Sequence, residues 1–291
     1  MKATAERLIR ALTRWHLVSP EMLCRLRYVA KFRRLPNISH PRDLNEWIMH
    51  LEFRTDTSGW VRAADKLAMR ALVEECGLGH MLPRLYASGA SAHEIDWESL
   101  PGQFVVKTNN GCGTVHLVRD KGSLDLPALK RELNEWLRTP FGYVSAEPHY
   151  TRIRPMILVE ELLPCPDGTL PIDYKIWCIE GEPVGCMVCT GRKEGRLHQT
   201  NINWYDIPGW KRHPELISKP FRNNDSTPCP KSLDKMIEAS RRLARGFKIV
   251  RVDFYDIAGR PYLGELTFTS NGGRMAYLTP DLLKELGQRL S

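Results

Sequence analysis

The stretch RVDFYDIAGRPYLGEL, residues 251–266, alternates apolar and polar side chains on either side of a Gly-containing turn. That period of two specifies an antiparallel hairpin. A three-residue turn at Ala258-Gly259-Arg260 places Asp253 opposite Glu265. It also puts Arg251, Asp253, Glu265 and Thr267 on one face. Like charges directly across a ladder repel. Two readings accommodate them: a solvated face on which Arg251 bridges both acids, or a divalent-cation site. Mg2+ takes one or two carboxylates and fills its shell with phosphate oxygens and water. On either reading, removing one acid relieves repulsion and is expected to leave the fold little changed.

The same strand signal recurs upstream. Strands are expected at 82–87, 103–107, 115–118, 154–162, 172–180, 183–190 and 198–205. Helices are expected at 3–14, 20–34, 40–53, 64–76, 125–138, 232–245 and 280–290, with Asp125 as an N-cap. Residues 206–230, rich in Pro and polar side chains, read as a long loop. Consecutive strands outnumber strand–helix alternations, so the class is α+β with mainly antiparallel sheets.

Composition removes several classes. No apolar run approaches the ~20 residues of a membrane-spanning helix, and the N-terminus lacks the uncharged core of a secretory signal. Eight cysteines are scattered through 291 residues, and Cys186-Met-Val-Cys189 is the one C-x-x-C, which reads as buried thiols in a strand. A cytoplasmic location follows. The net charge of +8 favours an anionic partner. No zinc-finger or RNA-binding signature appears, so no nucleic-acid partner is expected. Basic side chains crowd the first helices, at Arg7, Arg10, Arg14, Arg25, Arg27, Arg33 and Arg34. They form either a solvated face or a peripheral contact with the inner face of an anionic membrane.

Three further stretches carry chemistry. In FVVKTNNGCGTVHLV (104–118) a strand ends at Lys107, and Gly111, Gly113 and Thr114 lie in the turn that follows. Such a turn is either an ordinary Gly-rich hairpin or a backbone cradle for phosphate. In PMILVEELLP (155–164) a strand ends in Glu160 and Glu161. They are solvated acids, or acceptors for an exocyclic amine or ribose hydroxyls. In DYKIWCIEGEP (173–183) Asp173 and Lys175 share a strand face, as an ion pair or beside a ligand.

The order of these stretches resembles the ATP-grasp superfamily and, within it, the TupA-like group associated with bacterial surface polysaccharides. The echoes are DLNEWI (43–48), DKLAMR (65–70), LPGQFVVKTNNGCG (100–113), ILVEELL (157–163), DYKIWCIEGEP (173–183) and VRVDFYDIAGRPYLGELTF (250–268). The resemblance implies two α+β subdomains gripping ATP between antiparallel sheets. A helical region over 1–64 would precede a domain over 65–291, with a lid at about 101–163 and a metal-binding part at about 164–291. Carried over by position, Lys66 and Lys107 contact ATP phosphates and 108–114 forms a flexible lid. Glu160 or Glu161 lies by adenine and ribose, with the Leu163 backbone near the base. Lys175 reaches phosphate, Asp253 and Glu265 hold Mg2+ (or Mn2+), and Arg251 faces the reacting acyl group. Many members carry E-x-N, whereas this chain has Glu265-Leu266-Thr267. Thr267 or Asn271 is left to supply the third metal oxygen.

The implied activity is an ATP-dependent carboxylate–amine ligase that forms an amide through an acyl phosphate, yielding ADP and phosphate. Its substrates are expected to be an amino acid, a uronic-acid sugar or both, in cell-surface polysaccharide biosynthesis. Other readings are a glycosyltransferase-type enzyme and a non-catalytic nucleotide-binding module. His149, Arg152, Arg154, Arg192 and Trp204 are candidates for the acceptor side.

Overall fold

Ser19 starts the first described helix by accepting a hydrogen bond from the Met22 amide, with Pro20 at the first helical position. The computed structural model describes residues 18–164, 170–192 and 201–290. The helix expected at 3–14, with Arg7, Arg10 and Arg14, lies outside them, as do residues 198–200 of the last upstream strand.

Four helices open the described chain: α1 (Pro20–Phe32), α2 (Leu44–Arg54), α3 (Ser58–Ala64) and α4 (Ala68–Glu75). The helix expected at 64–76 begins only at Ala68, and a separate helix, α3, ends at Ala64. Asp65 breaks the expected helix, because its Oδ1 accepts from the amides of Leu67 and Ala68 and so competes with the helix ladder. Lys66 consequently sits in a turn, not on a helix. The helix expected at 40–53 begins only at Leu44, where the Asp43 side chain caps the Glu46 amide.

The first sheet contains β1 (Leu85–Gly89), β2 (Phe104–Thr108), β3 (Val115–Val118) and β4 (Ile157–Glu160), in the order β1-β4-β2-β3. Between β3 and β4 come α5 (Leu126–Arg138), capped by Asp125, and the short α6 (Phe141–Ser145). Leu129 and Leu133 of α5 bury against Phe104, Val106, Ile157 and Val159.

The second sheet contains β5 (Asp173–Ile179), β6 (Glu182–Thr190), β7 (Asn201–Tyr205), β8 (Ile249–Ile257) and β9 (Arg260–Thr267), in the order β7-β6-β5-β8-β9. Both sheets are antiparallel throughout. Helix α7 (Leu233–Ala244) packs against β5, β6 and β8, and α8 (Pro280–Gln288) packs on α2. The largest core joins this sheet to α2, α3, α4, α7 and α8. Cys186 and Cys189 are both buried in it, as expected.

The hairpin reaches the expected pairing by a different route. Its turn has two residues, Ala258 and Gly259, at φ 54° and 86°, with Ile257 opposite Arg260. Those angles are what a tight primed turn requires. A bulge at Gly264 then adds one residue to β9 and restores Asp253 opposite Glu265.

Candidate active site

Strand alternation brings one face of the second sheet together as a row of charge. From β5 come Asp173 and Lys175, from β8 Arg251 and Asp253, and from β9 Glu265 and Thr267. Lys175 pairs with Asp253 across one ladder, and Asp253 pairs with Glu265 across the next. Lys175 Nζ lies 2.5 Å from Asp253 Oδ2 and 3.3 Å from Asp173 Oδ2. Arg251 grips Asp253 with two bonds of 2.7 Å, through Nε and Nη2. Its Nη1 donates to Ser270 Oγ at 2.7 Å and its Nη2 to Thr267 Oγ1 at 3.1 Å. Glu265 Oε1 is 3.5 Å from Arg251 Nη2 and accepts from Thr267 Oγ1. At the far end Arg192 Nη1 pairs with Asp173 at 2.9 Å.

The row alternates cation and anion, which answers the repulsion between the two acids. Burial alone would raise the Asp253 pKa, but Arg251 and Lys175 bring it down to about 2. Burial would likewise lower that of Lys175, yet Asp173 and Asp253 hold it well above the ordinary lysine value. The structure therefore changes one expectation. Removing the Asp253 charge takes from Arg251 and Lys175 their closest anion and leaves them only Glu265 at 3.5 Å and Asp173 at 3.3 Å, so that substitution costs stability. Glu265, at 34% side-chain exposure, is the open carboxylate of the row.

A second cluster lies on the first sheet. Glu160 Oε2 is 2.5 Å from Lys107 Nζ, and Oε1 is 3.1 Å from Arg70 Nη1. Glu161 points elsewhere: its Oε2 accepts from the Arg84 amide, and its own amide donates to the Arg84 carbonyl. Adjacent strand residues face opposite ways, so the two acids do not share a site. Leu163 is buried just beyond the strand.

Lys66 reaches the Gly-containing turn that follows Lys107. Its Nζ donates to the Gly111 carbonyl at 2.6 Å. Burial lowers its pKa, the Glu265 carboxylate opposes that, and Lys107 reinforces it. Charges from both sheets thus act on one ammonium. The Gly-containing turn it touches is tied down at its base. The Asn109 amide donates to Asp65 Oδ1 and the Arg154 carbonyl, and its Oδ1 accepts from the Met156 amide. Thr108 donates to Thr114 Oγ1 at 2.7 Å. A Cβ at Gly111 would meet the Phe141 ring at 3.0 Å, and Gly113 sits at φ 80° in open space.

Asn271 turns its amide to the Arg274 carbonyl, whereas Thr267 faces the row. Among the acceptor-side candidates, only Arg192 joins the row. Arg152 donates to Thr57 Oγ1, the Arg154 carbonyl binds Asn109, and His149 and Trp204 are buried. Sequence reasoning missed Arg70 and Ser270. Arg70 lies four residues after Lys66, but that spacing means nothing until the turn at Lys66 is known. Among the described residues no group of three or more His, Cys, Asp or Glu forms a metal cluster. The donors present are two opposed carboxylates and a hydroxyl. Hard oxygen donors of this kind suit Mg2+, which draws its other ligands from phosphate and water; Glu265 is the accessible one, whereas both Asp253 oxygens are engaged by Arg251 and Lys175 and would have to give up one of those bonds to bind a cation.

The two antiparallel sheets, of four and five strands, are those of an ATP-grasp fold. Residues 47–291 match the TupA-like ATPgrasp family, and the chain belongs to it. No curated protein matches the chain. In fold it is similar to the D-alanine–D-alanine ligase of Bacillus anthracis, at 16% identity over 79% of this chain, with a TM-score of 0.46. It spans 66% of that chain, a little under two thirds of its length. The Helicobacter pylori D-alanine–D-alanine ligase is similar at 15% identity, over 86% of this chain and 70% of that one, with a TM-score of 0.45. For the phosphoribosylamine–glycine ligase of Thermotoga maritima the identity is 12%, the coverage 71% and 48%, and the TM-score 0.39.

Proposed function

We propose that the protein is an ATP-dependent carboxylate–amine ligase that forms a C–N bond through an acyl phosphate, releasing ADP and phosphate. An amino acid and a uronic-acid sugar of a surface polysaccharide are the substrates this reading favours. The observation that carries it is the row Lys175–Asp253–Arg251 ending in the partly exposed Glu265, with Lys66 holding the Gly-containing turn through the Gly111 carbonyl.

A carboxylate does not acylate an amine at neutral pH, because its oxygen leaves poorly. Phosphorylation supplies a good leaving group, and the protein's task is positioning and charge neutralisation. Lys66, Lys107 and Lys175 offset phosphate charge. The Arg251 guanidinium, already oriented by Asp253 and Ser270, holds the developing acyl oxygens. Residues 108–114 close over the phosphates and exclude water, and Glu160 lies by adenine and ribose. Mg2+, with Mn2+ as a substitute, would be held by Asp253, Glu265 and Thr267 and would neutralise charge on the transferring phosphate. Residues at about 101–163 act as the lid part and those at about 164–291 as the metal-binding part.

The test is a substrate screen. Purified protein is incubated with ATP, Mg2+, pooled amino acids and uronic-acid sugars, and phosphate release and product mass are followed. Phosphate and ADP that require both a carboxylate and an amine support the proposal. AMP and pyrophosphate, or nucleotide binding without turnover, refute it.

A further inference from the structure

Three large hydrophobic side chains are exposed among the described residues: Met22 at 51%, Leu26 at 48% and Leu35 at 73%. All three belong to α1 and the loop that follows it. None lies in the 47–291 stretch that the family shares. Met22 and Leu26 are four apart and so lie on one helix face, which Ala30 and Arg33 continue. The opposite face is spent on the fold, because Leu23, Cys24 and Tyr28 are fully buried against Ile38 and Met49.

Charge surrounds the apolar stripe. Lys31, Arg33 and Arg34 are exposed at the helix end. Arg33 closes α1 in a left-handed conformation at φ 58°, and the exposed Leu35 follows two residues later. Arg25 and Arg54 are held by Glu21, and Arg34 by Glu46 and Asp43. Lys31 and Arg33 form no ion pair among the described residues. The sequence before α1 adds Lys2, Arg7, Arg10 and Arg14.

From this we infer that the α1 face docks the protein on an anionic lipid surface. Met22, Leu26 and Leu35 enter the acyl boundary, while Lys31 and Arg33 meet acidic headgroups. Basic side chains alone would serve any polyanion. The apolar side chains decide between partners, since a nucleic acid or soluble polyanion offers no apolar phase to bury them, whereas a headgroup–acyl boundary does. The chain has no helix long and apolar enough to cross a membrane among the described residues, so the contact is peripheral.

Co-sedimentation of the full chain with vesicles tests this. One set is phosphatidylcholine alone and the other is phosphatidylcholine with phosphatidylglycerol. Binding to the mixed vesicles only, weakened by high salt, is expected. Met22→Asp combined with Leu26→Asp should reduce that binding roughly tenfold or more. Arg33→Glu should reduce it about fivefold, a single headgroup contact being about 1 kcal/mol. Both variants should keep the wild-type melting temperature and its increase with ATP. Absence of binding to the mixed vesicles overturns the inference. So does binding that the Met22/Leu26 variant retains, or that DNA competes away equally in both proteins.

Discussion

Glu46 and Asp253 are both buried carboxylates, each gripped by two cations and each held at a pKa of about 2 against the pull of burial. Their surroundings are opposite. Glu46 binds Arg34 and Arg42, whose side chains are 40% and 53% exposed, so solvent shares those charges. Asp253 binds Arg251 and Lys175, which are 9% and 13% exposed and rise from neighbouring strands. The first is a clasp that fixes the loop before α2. In the second, the cations are the buried party and the next carboxylate is open. Desolvating two cations is a poor route to stability. It is a good preparation for a polyanion, whose arrival needs no reorganisation of dipoles. A depressed carboxyl pKa therefore does not mark a site by itself; the burial of its partners does.

The largest expected effect breaks the two regions apart. Asp253→Asn should lower ATP turnover by about 10²–10³-fold, and should destabilise the protein by about 3–5 kcal/mol because Arg251 and Lys175 lose their shared anion. Phosphate release and urea unfolding read the two effects separately. Glu265→Gln is the cleaner variant, with a similar loss of turnover and little change in the unfolding midpoint. If both variants keep full Mg2+-dependent turnover, the row is structural and the contrast with Glu46 disappears.

Next in size is pH. Glu46 and Asp253 have folded pKa values below their ordinary ones, so both contribute stability that is complete above about pH 4.5 and is lost as pH falls toward 2. Glu52 is the limiting case, a buried carboxyl with no lysine or arginine bound among the described residues. Neither of its oxygens has a hydrogen-bond partner, and His149 Nδ1 is 3.8 Å away. Burial raises its pKa well above 4.5, with Glu147 adding to that and Arg274 opposing it. The folded state then holds the extra proton, so stability is present below pH 4.5 and declines as pH rises. Glu52→Gln should flatten that decline, leaving the variant more stable than wild type at pH 8 and close to it at pH 4. Thermal melts across pH read this directly. Coincident wild-type and variant profiles would show that Glu52 does not titrate as its burial requires.

Two smaller effects sharpen the comparison. Lys107→Ala should weaken ATP binding by about 1.5–3 kcal/mol, the range of a hydrogen bond to a charged group, as measured by calorimetry. Glu46→Gln should cost about 1–3 kcal/mol of stability with turnover unchanged, since its arginines regain water. A fall in turnover there would make the clasp part of the site.

Much of the site was legible where strand alternation alone decides it. The spacing of Arg251, Asp253, Glu265 and Thr267 puts them on one face, although the turn has two residues where the spacing suggests three. The bulge at Gly264 compensates for that residue, so the predicted pairing survived a mistaken turn. Lys66 was read onto a helix because the apolar period runs through 64–76. Only the capping bonds of Asp65 reveal the break, and a capping Asp resembles any helix-surface Asp in sequence. Arg70 and Ser270 carry no usable signal, since each gains its meaning from a partner distant in the chain, Glu160 and Arg251.

The sequence by itself determined which side chains share a strand face, because the period of two is a local property of extended backbone. It also determined the α+β class and the order of the polar stretches. Only the tertiary structure decided that Lys175 meets Asp253, that Lys66 reaches the Gly111 carbonyl, and that Glu160 rather than Glu161 joins the cations. Those outcomes depend on how strands distant in sequence pair and on which faces are buried, and no local pattern sets either.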